Sequence, residues 1–98
     1  METKYYWMNE VDGVTTIGLS QTGRDEFGNI SFATLPKVDS TLAEGGDTLL
    51  NIEADKAVSD LATPIAGKVI EINQELKANP DLLNSDDQGI SWIAKIKA

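Results

Sequence analysis

The chain has 98 residues, enough for one domain with one modest core. Sixteen acidic residues against eight basic ones give a formal charge of -8, which repels phosphate backbones and anionic lipid, so neither nucleic acid nor a membrane surface is an expected partner. Cys and His are both absent, which excludes disulfides, thiolate metal centres, a cysteine nucleophile and the usual general base, and the chain is expected not to be an enzyme.

The opening Met1-Glu2-Thr3-Lys4-Tyr5-Tyr6-Trp7 contains no apolar run, and later runs are far too short to span a bilayer. A cytoplasmic, monomeric protein with a single domain over residues 1–98 is expected. The patterning is mostly period two, broken often by turn residues, which predicts an all-β sandwich or flattened barrel with one or two short helical turns. Strands over 4–9 and 14–20 flank Val11-Asp12-Gly13, where Asp-Gly favours a hairpin because a type I′ turn needs positive φ. Residues 20–27 predict a short helix capped by Ser20 or Thr22 and stopped by Gly28.

Alternation resumes over 30–35 and ends at Pro36. A tight turn follows over 42–47, through Gly45-Gly46-Asp47. Strands over 48–53 and 58–63 come next, the first placing Leu50 and Ile52 on one face, and Pro64 closes the second. Residues 67–73 form another strand, and 74–78 a short helix capped by Asn73. Turns at Asn79-Pro80 and Ser85-Asp86-Asp87-Gln88-Gly89 surround Leu82-Leu83. The last strand covers 91–97, with Trp92, Ala94 and Ile96 opposing Ile93, Lys95 and Lys97. Tyr5, Tyr6, Trp7, Phe27, Phe32 and Trp92 are expected in the core or at its edge. Glu10, Asp12, Asp25 and Glu26 lack the ligand spacing of a calcium loop and are expected on a solvated face, so no metal site is predicted.

Between the strands at 48–53 and 58–63 lie Ala54, Asp55, Lys56 and Ala57, which makes a hairpin with Lys56 at its tip. A tip lysine is solvated and reachable from several sides, and on its own it is an ordinary surface lysine. Its flanks add weight: Gly46-Asp47 precedes it, and Pro64-Ile65-Ala66-Gly67 follows.

Ile52-Glu53-Ala54-Asp55-Lys56-Ala57-Val58-Ser59-Asp60, followed by Pro64-Ile65-Ala66-Gly67-Lys68-Val69-Ile70-Glu71-Ile72-Asn73, resembles the lipoyl-lysine hairpin of glycine cleavage system H proteins. Thr16-Ile17-Gly18-Leu19-Ser20, Gly28-Asn29-Ile30-Ser31-Phe32-Ala33-Thr34-Leu35-Pro36 and Asn79-Pro80-Asp81-Leu82-Leu83-Asn84 resemble further segments of that family, as does Trp92-Ile93-Ala94-Lys95-Ile96. The resemblance implies a fold of the lipoyl/biotinyl-carrier hybrid type with lipoic acid held as an amide on Lys56, and Glu53, Asp55 and Asp60 beside the cofactor. It further implies a carrier that shuttles an aminomethyl group from glycine decarboxylase to the tetrahydrofolate-dependent aminomethyltransferase. Dihydrolipoamide dehydrogenase reoxidises the dithiol, and a lipoate ligase or lipoyltransferase attaches the cofactor. A tethered group makes each encounter locally intramolecular, and its redox chemistry belongs to the cofactor.

Three features depart from the family pattern. The first-strand Ser-His-Glu-Trp run, whose serine and glutamate help to shelter the loaded group, reads Lys4-Tyr5-Tyr6-Trp7 here. Shelter is therefore expected to be weaker, to lean on Asp60, and to be restored by Tyr6→Glu. Most members continue into a C-terminal helix, whereas this sequence ends at Ala98. The tip Asp55-Lys56-Ala57 is closer to the lipoyl domains of 2-oxoacid dehydrogenases, although their Ala/Pro-rich linkers are missing. A biotin carrier would flank its lysine with methionines. Three roles stay open: glycine cleavage, lipoate relay to other complexes or another regulated lipoyl role, and an unmodified β-domain acting through protein contacts.

Overall fold

The computed structural model describes residues 5–44 and 46–98. The expectations placed on Lys4 and Gly45 lie outside these residues. Two antiparallel sheets enclose the core. One has the order β1-β2-β8-β7-β4 and the other β3-β5-β6. Here β1 is Tyr6–Val11, β2 Val14–Leu19, β3 Ile30–Thr34, β4 Thr41–Leu42, β5 Thr48–Ala54, β6 Val58–Ala62, β7 Gly67–Ile72 and β8 Trp92–Lys97. The predicted all-β sandwich is the observed architecture.

The local signals act as elementary stereochemistry requires. Asp12 and Gly13 turn β1 into β2 at φ 52° and 81°, the positive pair a tight hairpin needs. In α1, Gln21–Phe27, the Ser20 hydroxyl accepts from the Gly23 amide at 3.1 Å. Gly28, at φ 80°, donates its N–H to the Arg24 carbonyl and stops the helix. Asn73 is the expected cap of α2, Glu75–Ala78, but the N-cap is Gln74 and Asn73 stands one residue before it. Its Oδ1 accepts from the Glu75 amide, while its Nδ2 donates to the carbonyls of Ile90 and Trp92 at 3.0 and 2.9 Å.

Several expectations change. The stretch read as a turn over 42–47 begins with a two-residue strand, β4, paired to β7. Where turns are predicted, Pro80–Asn84 forms a 3₁₀ helix and Gln88–Ser91 a short helix, α3. Neither is long enough to display a helical period, and long-range bonds fix the first. Asn84 accepts from the Ile30 amide at 2.9 Å and donates back to the Ile30 carbonyl at 3.1 Å. In α3, Asp87 accepts from the Gly89 amide at 2.9 Å.

Bulges break the simple alternation. Leu49 is the extra residue between Thr48 and Leu50, so both leucines point inward. Ile93 has no partner between the Ile17–Ala94 and Gly18–Trp92 pairs, and it is buried rather than opposed to Ala94 and Ile96. Ser31 is the extra residue in β3, which turns Phe32 outward and leaves it 56% exposed. Phe32 is therefore a surface residue and not part of the core edge. The core is mainly aliphatic, with Ile17, Leu50, Ile52, Leu83, Ile93 and Ile96 fully enclosed and Tyr6 and Phe27 packed among them.

Candidate functional site

The β5–β6 hairpin carries all four residues expected at the site. The ladder ends at Glu53 opposite Val58, and the Ala54 amide closes the tip on the Ala57 carbonyl at 2.9 Å. Two further backbone bonds fasten this tip to the junction of α1 and β3. Asp55 N–H donates to the Asn29 carbonyl and Lys56 N–H to the Phe27 carbonyl, each at 3.0 Å. The backbone that holds the lysine is thus fixed at both sides, while the side chain stands in solvent.

Lys56 Nζ donates to the Asp25 carbonyl at 3.2 Å, near the last turn of α1. Carbonyls at a helix C-terminus attract a cation. The alkyl stem passes over Gly28, where an added Cβ would lie 3.2 Å from Lys56 Cγ and 3.4 Å from Asp55 Cβ. With φ at 80°, position 28 favours glycine twice over, for its backbone and for the lysine that crosses it.

The sequence points to Lys56 and its acidic neighbours but not to this seat. Gly28 was legible only as a helix stop. The carbonyls of Asp25, Phe27 and Asn29 carry no side-chain signal at all.

The acidic residues divide by position. Asp55 contributes its amide to the latch, and its carboxylate stays exposed. Glu53 is exposed on the outward face, in register with Phe32 on one side and Val58 on the other. Asp60 sits further down the ladder opposite Asn51, whose Nδ2 donates to it. The four residues share one hairpin without converging on a pocket.

Tyr6 lies in the core, as expected of its aromatic ring. It is 4% exposed, and its hydroxyl donates to the Ala62 carbonyl of β6 at 3.1 Å, tying the two sheets together. Burial pushes its phenol well above the usual tyrosine range, so it stays neutral. A carboxylate at position 6 would enter a closed interior. Tyr6→Glu is therefore expected to cost stability before it shelters anything. Beside it, Trp7 lies flat on Gly18, where an added Cβ would overlap the indole.

A covalent acyl group fits this geometry. The amine is open to solvent, and an amide N–H retains the one donor that the Asp25 carbonyl needs.

A family model described as Glycine cleavage H-protein matches residues 1–98. The chain belongs to the glycine cleavage H-protein family. A glycine cleavage system H protein of Staphylococcus epidermidis is 37% identical over 94 residues, covering 96% of this chain and 74% of that protein. One from Alteromonas mediterranea is 42% identical over 89 residues, covering 91% of this chain and 68% of its own. The crystal structure of a glycine cleavage system H protein from Mycobacterium marinum superposes with a TM-score of 0.84 at 24% identity, covering 98% of this chain and 80% of that one. The H-protein fold is therefore shared, and the family replaces both the 2-oxoacid dehydrogenase lipoyl domain and the biotin carrier as the frame for this chain. Among the described residues, no helix is long and apolar enough to cross a membrane.

Proposed function

We propose that the chain is a non-catalytic lipoyl carrier of the glycine cleavage system, a single cytoplasmic domain over 1–98 that acts as a monomer with lipoic acid held as an amide on Lys56. The observation that carries this reading is the seat of that lysine: a backbone latched by two 3.0 Å hydrogen bonds beneath a solvent-exposed side chain. Fixed backbone with an exposed side chain suits presentation to several enzymes in turn. When bound, the cofactor supplies the redox and group-carrying chemistry. The chain holds the attachment point, keeps Gly28 clear beneath the stem, and surrounds the tip with Glu53 and Asp55.

The partners are glycine decarboxylase, the aminomethyltransferase, dihydrolipoamide dehydrogenase and the lipoate ligase or lipoyltransferase that acts first. A reconstituted assay tests the reading. Lipoylated protein should support glycine-dependent exchange of labelled CO₂ by glycine decarboxylase, and Lys56→Arg should support none. Equal exchange with and without the lipoylated protein would overturn it.

One observation favours a second reading, lipoate relay. The first strand offers a buried, neutral Tyr6 where the family carries an acid, and Asp60 is engaged by Asn51. Relay predicts enzymatic transfer of the lipoyl group from Lys56 to a dehydrogenase subunit, with little support of glycine-dependent exchange.

A further inference from the structure

The end of α1 nearest Lys56 carries charges of the wrong sign for its place. The last carbonyls of a helix expose negative charge, so cations stabilise that end and acids do not. Yet the last turn of α1 holds Asp25 and Glu26, both exposed. Its one base, Arg24, is turned away, donating to the Leu19 carbonyl and to Asp86. The compensating cation comes from another element. Of the last four carbonyls of the helix, Lys56 serves two: Phe27 through its N–H at 3.0 Å and Asp25 through Nζ at 3.2 Å.

We propose that the Lys56 ammonium is the C-terminal cap of α1 in the unacylated chain, and that acylation removes this cap and loosens the junction of α1 with β3. The inference rests on the reading of Lys56 as the lipoylated residue.

Acylation changes the charge here and leaves the hydrogen bonding almost as it was. Nζ attacks an activated lipoyl carbonyl and the C–N bond forms. The leaving group departs with the electron pair of its bond to that carbon, and two of the three ammonium protons pass to solvent. One N–H remains for the Asp25 carbonyl, so the loss is the positive charge itself. Asp25 and Glu26 on α1 and Glu53 and Asp55 on the hairpin are all exposed acids. Glu26 accepts from the Tyr5 hydroxyl, which is a neutral group. Apart from Arg24 and Lys56, neither α1, nor β3, nor the β5–β6 hairpin contains a base. Once Lys56 is an amide, the helix end and its acids have no cation facing them.

The consequence falls on the platform that presents the lysine. The same junction carries the latch, with Asp55 N–H on the Asn29 carbonyl and Lys56 N–H on the Phe27 carbonyl, and Gly28 N–H on the Arg24 carbonyl closes the helix. A cation at a helix end shifts a local equilibrium by about two- to fivefold. The bare chain therefore holds its amine on a firm base, and the acylated chain swings its longer side chain from a more yielding one. The acylation state is thereby written into the order of α1 as well as into the length of the side chain.

Protection of backbone amides from hydrogen exchange, read by NMR, tests this. Protection factors at residues 28, 55 and 56 are compared in wild type, Lys56→Arg, Lys56→Gln and wild type lipoylated by a purified lipoate ligase. The Val69 amide, which donates to the Ser40 carbonyl beside the other sheet, is the control. The proposal predicts a fall of about two- to fivefold at the three amides in Lys56→Gln and in the lipoylated chain. Lys56→Arg should keep wild-type protection, and Val69 should not change in any of them. In salt of about 1 M, where the screening length is about 3 Å, the fall should fade. Wild-type protection in the lipoylated chain, or a fall in Lys56→Arg equal to that in Lys56→Gln, would overturn the cap while leaving lipoylation of Lys56 intact. An equal fall at Val69 would overturn it too, because the effect would then be global. Failure of the ligase to modify wild type at all would instead remove the functional reading beneath the proposal.

Discussion

The five-stranded sheet pairs several of the charges on its outer surface, and the three-stranded sheet has no base with which to do so. On the first, Lys95 Nζ lies 3.8 Å from Glu71 and 5.4 Å from the centre of the Trp92 ring, while Lys68 stands 3.6 Å from Asp39. On the second, no strand carries a base, and Phe32, Glu53 and Val58 face solvent in a row beside the lysine. Exposed ion pairs are worth only about 0–1 kcal/mol each, so the contrast contributes little to stability. It concerns which face is complete by itself. The three-stranded sheet carries its exposed apolar pair and no base at the end where Lys56 stands.

The bond between Tyr6 and β6 joins these two regions, and replacing the buried phenol by a carboxylate should give the largest effect. Tyr6→Glu puts a carboxyl group where the phenol is buried. A loss of about 3–5 kcal/mol is expected at pH 7, read from the urea midpoint. The loss should shrink toward pH 5, since the buried acid is easier to accommodate once protonated. An undiminished midpoint at pH 7 would mean that position 6 opens to solvent.

Two glycines sharpen the contrast between scaffold and presenting end. Gly18→Ala drives a methyl group into the Trp7 indole within the five-stranded sheet. Overpacking there should cost up to about 3 kcal/mol and shift the tryptophan emission. The rate of lipoylation per folded molecule should stay the same. Gly28→Ala forces a Cβ into a positive-φ position under Lys56. About 1 kcal/mol or somewhat more is expected from denaturation. Here the rate of acylation at Lys56 should change, because the stem is displaced from its seat. If the two variants affect acylation alike, the division between the sheets has no functional content.

The smallest effect isolates the Tyr6 hydroxyl. Tyr6→Phe removes its bond to the Ala62 carbonyl and should cost about 1 kcal/mol at neutral pH. The folded phenol holds its proton more tightly than the unfolded one, whose ordinary value is about 10. Its contribution is therefore intact below about pH 10 and is lost as the pH rises above that value. Urea midpoints between pH 8 and 11 should fall more steeply for wild type than for Tyr6→Phe. Tyr5 is present in both and cancels.

Much of this organisation is readable from the residues. Period-two runs and the Asp12-Gly13 turn reveal the strands, because side-chain alternation is a local property. The hairpin bearing Lys56 is legible for the same reason, and the resemblance around it supplies the chemistry. Bulges are not legible. Nothing local says that Leu49 and Leu50 both turn inward, or that Ser31 turns Phe32 out, since a bulge is defined by the partner strand. The 3₁₀ helix at Pro80–Asn84 depends on Asn84, which reaches back 54 residues to Ile30. The latch under Lys56 is equally non-local, linking its amide to the Phe27 carbonyl. Tyr6 is legible as a core or core-edge aromatic, but its bond to Ala62 depends on how the sheets meet.

The central claim is that Lys56, and no other residue, carries the lipoyl group. The most direct measurement is peptide mass spectrometry of wild type and Lys56→Arg, each purified from lipoate-replete cells. Arginine keeps the charge at an exposed tip, so the variant should fold within about 0.5 kcal/mol of wild type. The account predicts a lipoyl mass increment confined to the peptide containing Lys56 in wild type, and none anywhere in the variant. An increment on another lysine, or its persistence in Lys56→Arg, would contradict it.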